Sequence, residues 1–208
     1  MVTKTLNIPL LIHKLFLEYC HIAFYGASVT QQTRGYVPKL CELLLKERPT
    51  FNYGISQLGF GSLHLKEGTL LLDDVVLSLH KTNPIHICIL EWFTSEPNIN
   101  IADLHYIIQK LLQENILPII LLLYNDDNRV EREKTKLIYY NIAKQYVLPL
   151  IDIDSQICEE NFFLSQHFRD TTHLLPLGAE KVASWIFECM FELPLRHFHS
   201  TFAEPKEN

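Results

Sequence analysis

Two short strings of the 208-residue sequence carry groups that together can do nucleophilic chemistry. The first is Tyr25-Gly26-Ala27-Ser28-Val29-Thr30, where a serine closely follows the apolar run His21 to Tyr25. A glycine ahead of it permits the tight turn that exposes a hydroxyl. Ser28 would then stand near a helix N-terminus, whose backbone N–H groups favour a developing oxyanion. The second string is Arg169-Asp170-Thr171-Thr172-His173. A serine hydroxyl needs a neutral imidazole to take its proton and a carboxylate to orient that imidazole. Asp170 and His173, three apart on one loop, can turn both groups into one site. Each string also has a plainer reading: Ser28 and Thr30 as ordinary N-caps, and His173 as a surface or packing histidine.

The elements that must bring these strings together are legible from periodicity. Apolar runs at 21–25, 50–58, 85–91, 116–123 and 147–153 alternate with helical patterns at 34–47, 69–80, 100–114, 129–146 and 176–191. A further helical stretch covers 10–19, and Pro149 weakens the fifth strand. Strands apolar on both faces, each followed by a helix, imply a parallel sheet covered on both sides. The expected fold is α/β, a three-layer α/β/α flavodoxin-like sandwich with a central, mostly parallel five-stranded sheet. In such sheets ligands sit outside the carboxyl ends of the strands. The Ser28 turn follows the first strand, and the Asp170–His173 loop can join it there.

Length and composition set the limits. With 48% hydrophobic residues and no visible boundary, the chain reads as a single domain over 1–208, its core at about 20–191, followed by a short tail. A net charge of -6 and no Lys/Arg-rich face argue against nucleic-acid binding. The mixed run Arg129 to Lys134 reads as the solvated face of a helix start. Five cysteines without a C-x-x-C pair argue against a disulfide framework or zinc site and fit a reduced, cytoplasmic setting. His13, Lys14 and Glu18 interrupt any signal-like apolar stretch, and Ile116 to Tyr124 is too short to span a bilayer. His197-Phe198-His199 reads as exposed tail rather than a metal site, so neither metal nor organic cofactor is expected. The pairs Asp73-Asp74, Asp126-Asp127 and Glu159-Glu160 read as surface, because adjacent residues on a helix diverge. Trp92 and Phe93 suit either a pocket lining or the core.

The order and placement of the two strings resemble the SGNH (GDSL-like) hydrolase family, over about residues 20–190. The family's first block is usually Gly-Asp-Ser; here it is Gly26-Ala27-Ser28. Its last block is usually Asp-x-x-His followed by Pro, Gly and Ala; here Asp170-Thr171-Thr172-His173 precedes Pro176, Gly178 and Ala183. The resemblance implies Ser28 as nucleophile, with Asp170 and His173 as partners. It also implies an oxyanion hole built from the Ser28 N–H and a second-block glycine, Gly61 or alternatively Gly59. The third block, usually bearing an Asn, is absent. Aligning Glu91 with the residue that often ends the third strand puts Ser95 at the Asn position, with Asn98 as another donor within the same stretch.

The implied activity is a serine esterase or deacylase that hydrolyses an O-acyl ester, such as an acetyl group on a carbohydrate, through an acyl-Ser28 intermediate. The substrate would be a small-molecule or saccharide acyl ester. The alternatives are an O-acyltransferase using the same residues and a degenerate binding module of the same fold. A receiver or nucleotide-binding flavodoxin-like domain ranks below these. A receiver wants an acidic cluster after the first strand, and Gly26-Ala27 offers none.

Overall fold

The first strand, β1 (Cys20–Gly26), is buried along its whole length. Its side chains alternate between two cores: Ile22 and Phe24 enter one, Ala23 and Tyr25 the other. Strands β3 (Ile87–Glu91), β4 (Leu117–Leu122) and β5 (Leu150–Asp152) do the same, so none of them could be amphipathic. A computed structural model describes residues 19–50, 52–95, 99–159 and 164–192 and joins these strands with β2 (Tyr53–Gly59) in one sheet. The order is β2-β1-β3-β4-β5 and every pairing is parallel. Pro118 is tolerated in β4 by its position. Ile120 N–H already faces β5, donating to Pro149 O at 3.0 Å, and Pro118 precedes the point where β5 begins to pair.

The helices complete three layers. On one face lie α2 (Tyr36–Glu47), α7 (Ile153–Glu159) and α9 (Pro176–Phe187), burying Leu40, Leu44, Ile157, Val182 and Ile186. On the other lie α3 (Leu65–Leu72), α5 (Ile101–Gln113) and α6 (Arg129–Tyr146), burying Leu65, Leu72, Ile107, Leu111 and Ile142. The fold is thus the expected three-layer α/β/α sandwich, its sheet wholly parallel. The one-turn α1 (Ser28–Gln31) follows β1, α4 (Ser78–Thr82) continues α3, and α8 (Leu164–His167) precedes the Asp170 loop.

Two expectations shift. The helix expected at 69–80 runs from Leu65 to Thr82, with a π-helical stretch, Asp73–Leu77, between α3 and α4. Its earlier start comes from the His64 N–H donating to Glu67 Oε2 at 3.0 Å, a capping contact ahead of Gly68. The fifth strand is shorter than 147–153. Val147 caps α6 in the left-handed conformation, and Ile153 opens α7 because the Asp152 carboxylate accepts from the Ser155 N–H at 2.8 Å. The helical stretch expected at 10–19 lies outside the described residues except for Tyr19. No helix among the described residues is long and apolar enough to cross a membrane.

Candidate active site

Ser28 is the first residue of α1, and Ala27 holds the N-cap position without a side-chain cap. The serine hydroxyl is therefore free of capping duty and lies 2.9 Å from His173 Nε2. Two close approaches make the turn possible. A side chain at Gly26 would overlap the Glu91 carbonyl oxygen, to which the Ala27 N–H donates at 3.0 Å. A side chain at Gly59 would overlap the backbone of Gln31, so a glycine there lets the end of β2 lie against α1. Gln57 adds a brace, its Nε2 donating to Thr30 O at 2.6 Å and Gln32 O at 3.1 Å.

The Asp170–His173 loop is held from both ends. Phe168 and Leu174 form an antiparallel bridge, and Arg169 N–H donates to His173 O at 2.8 Å. The loop after β4 reaches it as well: Asp126 N–H donates to Thr171 O at 2.9 Å, and Thr172 Oγ1 to Tyr124 O at 3.3 Å. Within the loop, Asp170 Oδ1 accepts from the N–H groups of Thr172 at 3.0 Å and His173 at 2.8 Å. Its carboxylate oxygens also lie 3.0 and 2.9 Å from His173 Nδ1. Partial desolvation works to raise the Asp170 pKa, but the two backbone N–H groups and the imidazole prevail and hold it down at about 2. An ionised carboxylate only accepts, so His173 Nδ1 carries its proton and the Nε2 lone pair faces the Ser28 hydroxyl.

Ser28, Asp170 and His173 are therefore brought together in one hydrogen-bonded line. The oxyanion candidates are placed less uniformly. The Ser28 N–H lies in the first turn of α1. Gly61 is exposed just past β2, beneath the Gln31 side-chain amide. Gly59 lies within β2, against α1. Ser95 Oγ donates to Trp92 O at 2.8 Å, and Ser95 O accepts from His64 Nδ1 at 3.1 Å. Asn98, Glu160, His197 and His199 lie outside the described residues. Trp92 and Phe93 are both fully buried and belong to the core.

Four further residues shape the site. Gln32 closes a pair of hydrogen bonds with the Leu174 backbone: its Nε2 donates to Leu174 O at 3.0 Å, and its Oε1 accepts from Leu174 N–H at 3.1 Å. This ties the turn that carries Ser28 to the residue after His173. Arg132 is 2% exposed, against the expectation of a solvated face at 129–134. It donates to Phe93 O at 2.5 Å, Thr94 O at 3.2 Å and Asp127 O at 2.8 Å. Buried Asn125 adds a bond to Thr94 O at 2.8 Å, so the loop after β3 has its carbonyls gathered inward. Glu91, 0% exposed at the end of β3, is the fourth. Its Oε2 accepts from Thr30 Oγ1 at 2.9 Å, and its Oε1 from Thr94 Oγ1 at 2.6 Å. Burial pushes this carboxyl up to about 7 against the pull of those hydrogen bonds. A carboxylate ending an otherwise apolar strand was the sequence signal for it.

No protein-family model and no curated protein sequence matches the chain. Solved structures do. A two-domain esterase active on acetylated mannans superposes with a TM-score of 0.73 at 17% identity, over 96% of this chain and 56% of its own. An acetyl xylan esterase gives a TM-score of 0.69 at 19% identity, over 81% of this chain and 98% of its own. An acetyl xylan esterase from Geobacillus stearothermophilus gives 0.70 at 11% identity, over 84% and 97%. The chain thus spans about half the length of the mannan esterase and nearly all of the xylan esterases. At such identities what the chain shares with these esterases is the fold.

Proposed function

We propose that the protein is a serine esterase that removes O-acyl groups, acetyl foremost, from a carbohydrate or another small alcohol. The observation that carries this reading is the 2.9 Å contact of Ser28 Oγ with His173 Nε2, backed by Asp170 on Nδ1. The mannan and xylan esterases that share the fold supply the acyl group and the class of alcohol.

In this mechanism Ser28 Oγ attacks the ester carbonyl carbon while its proton passes to His173 Nε2. The carbonyl oxygen takes the charge, and the N–H groups of Ser28 and Gly61 stabilise it. The alcohol leaves with the proton from His173, and acyl-Ser28 remains. Water then attacks the acyl carbon, gives a proton to His173, and the acid departs as Ser28 regains its hydrogen. Asp170 holds the imidazole in the required tautomer and stabilises the imidazolium. A sugar hydroxyl in place of water would make the same intermediate an acyl donor.

The test is hydrolysis of p-nitrophenyl acetate and butyrate, then of acetylated oligosaccharides, by wild type and by Ser28→Ala of confirmed fold. Activity lost in Ser28→Ala is the expected result. Equal rates in both proteins would overturn the assignment.

A further inference from the structure

We propose that Glu91 is a positioning residue for the ester-cleaving site: its carboxylate bridges the nucleophile turn to the loop after β3 and so fixes the pose of Ser28 toward the acyl carbonyl. This rests on the reading of Ser28 as nucleophile and goes beyond the three residues assigned to the reaction.

Glu91 pairs with Gly26 in the sheet register, directly beside the turn. Three of its oxygens engage the walls of the site. The backbone carbonyl takes the Ala27 N–H, Oε2 takes the Thr30 hydroxyl, and Oε1 takes both the hydroxyl and, at 3.4 Å, the N–H of Thr94. Thr30 stands two residues beyond Ser28 in the same short helix. Its hydroxyl also lies 2.8 Å from Tyr36 OH on α2, so the chain of bonds runs from α2 through the turn to the β3 loop. From the far side the loop is fixed by Arg132 of α6 and by Asn125.

The ionised carboxylate accepts from both threonines at once, and both bonds are charge-assisted. On protonation one oxygen becomes a donor, so a threonine hydroxyl must reverse to accept from it. The bridge is then weaker at both walls. Among the described residues, the titratable and charged groups that act on it include Tyr36 and Arg132. The Tyr36 phenol is pushed well above its usual range by burial and by the Glu91 charge. The Arg132 guanidinium is lowered by desolvation, with the Glu91 charge pulling the other way. The Glu91 carboxyl itself titrates near about 7, within reach of an ordinary activity profile.

The experiment is the pH dependence of kcat/KM for p-nitrophenyl acetate in wild type and Glu91→Gln, with thermal melts of both. Protonating wild-type Glu91 should cost about the tenfold that the neutral Glu91→Gln loses, so as the pH falls through about 7 wild type should lose about tenfold more activity than Glu91→Gln does over the same range. At the pH optimum kcat should drop about tenfold and KM should hold within about twofold, as for a misposed nucleophile rather than weakened binding. A second pair guards against misfolding of the buried variant. Thr94→Val, which removes the bond at the far end of the bridge, should also lose about tenfold in kcat, whereas Thr94→Ser, which keeps the hydroxyl, should stay within about threefold of wild type. Acid limbs of the same shape in wild type and Glu91→Gln, or Thr94→Val indistinguishable from Thr94→Ser, would overturn the proposal. Full activity in Ser28→Ala would instead overturn the esterase reading beneath it.

Discussion

Asp170 and Glu91 are two carboxylates that the fold drives in opposite directions. Asp170 is half-exposed and gathers two backbone N–H groups and an imidazole, so its ionised form is the favoured one. The stability it gives is present above its unfolded pKa of 3.8 and is lost as the pH falls through about 2. Its contribution to chemistry is larger. In Asp170→Asn the side-chain amide can donate to Nδ1, which puts the imidazole proton on Nε2 facing Ser28. We expect kcat/KM for p-nitrophenyl acetate to fall by about 10³–10⁴-fold with the melting temperature little changed. Glu91 behaves inversely. Burial raises it from 4.5 to about 7, so folding favours its protonated form. That stability is complete below 4.5 and is lost as the pH rises through about 7, a difference of about 3 kcal/mol. Wild type should therefore melt lower at about pH 8 than at about pH 5, and Glu91→Gln should lose most of that difference. Calorimetry at the two pH values decides it; an unchanged difference in the variant would assign the slope to other groups.

At the scale of elements, the site depends on two loops being fastened to each other rather than on either alone. The Gln32 side chain does this with its pair of bonds to the Leu174 backbone. Gln32→Leu keeps the size and removes both bonds, so His173 can drift from Ser28. A misplacement of about 1 Å costs on the order of 100-fold. We expect kcat/KM to fall 10- to 100-fold by that estimate, while the far-UV circular dichroism stays as in wild type. How much of this was legible in the sequence follows from where the partners lie. Ser28, Asp170 and His173 each sit in a short string that local patterns mark. Gln32 has its partner 142 residues away, and Arg132 reaches the carbonyls of the β3 loop 38 and 39 residues away, so nothing nearby announces either link. The end of β5 was legible and overlooked. Asp152 followed three residues later by Ser155 is a helix-start signal, but the apolar run through Ile153 outweighed it. The π-helical stretch at Asp73–Leu77 has no sequence pattern of its own.

At the scale of the whole molecule, the strand order places β1, which leads into Ser28, between β2 and β3, where the direction of winding reverses. That is the point at which open parallel sheets leave a crevice for a ligand. The fold class was readable because every central strand is apolar on both faces, a pattern that only a sandwiched sheet can satisfy. Stability should be graded across it. Strands β1, β3 and β4 have neighbours on both sides and are fully buried, while β2 is an edge strand and only half-buried. Amide hydrogen exchange should be slowest in β1, β3 and β4 and measurably faster in β2; uniform protection would mean that the sheet opens only as one unit.

The hydrogen bond between Ser28 and His173 spans 145 residues of chain. Chains are synthesised from the N-terminus, and their N-terminal parts fold first. On the proposed mechanism Ser28 is therefore made long before its base exists, and a product that ends before His173 would carry an inert hydroxyl. Chemical competence arrives in one step, when the segment around His173 closes onto β1. Regained turnover during refolding would thus time that closure, whereas helical signal could be restored well before it.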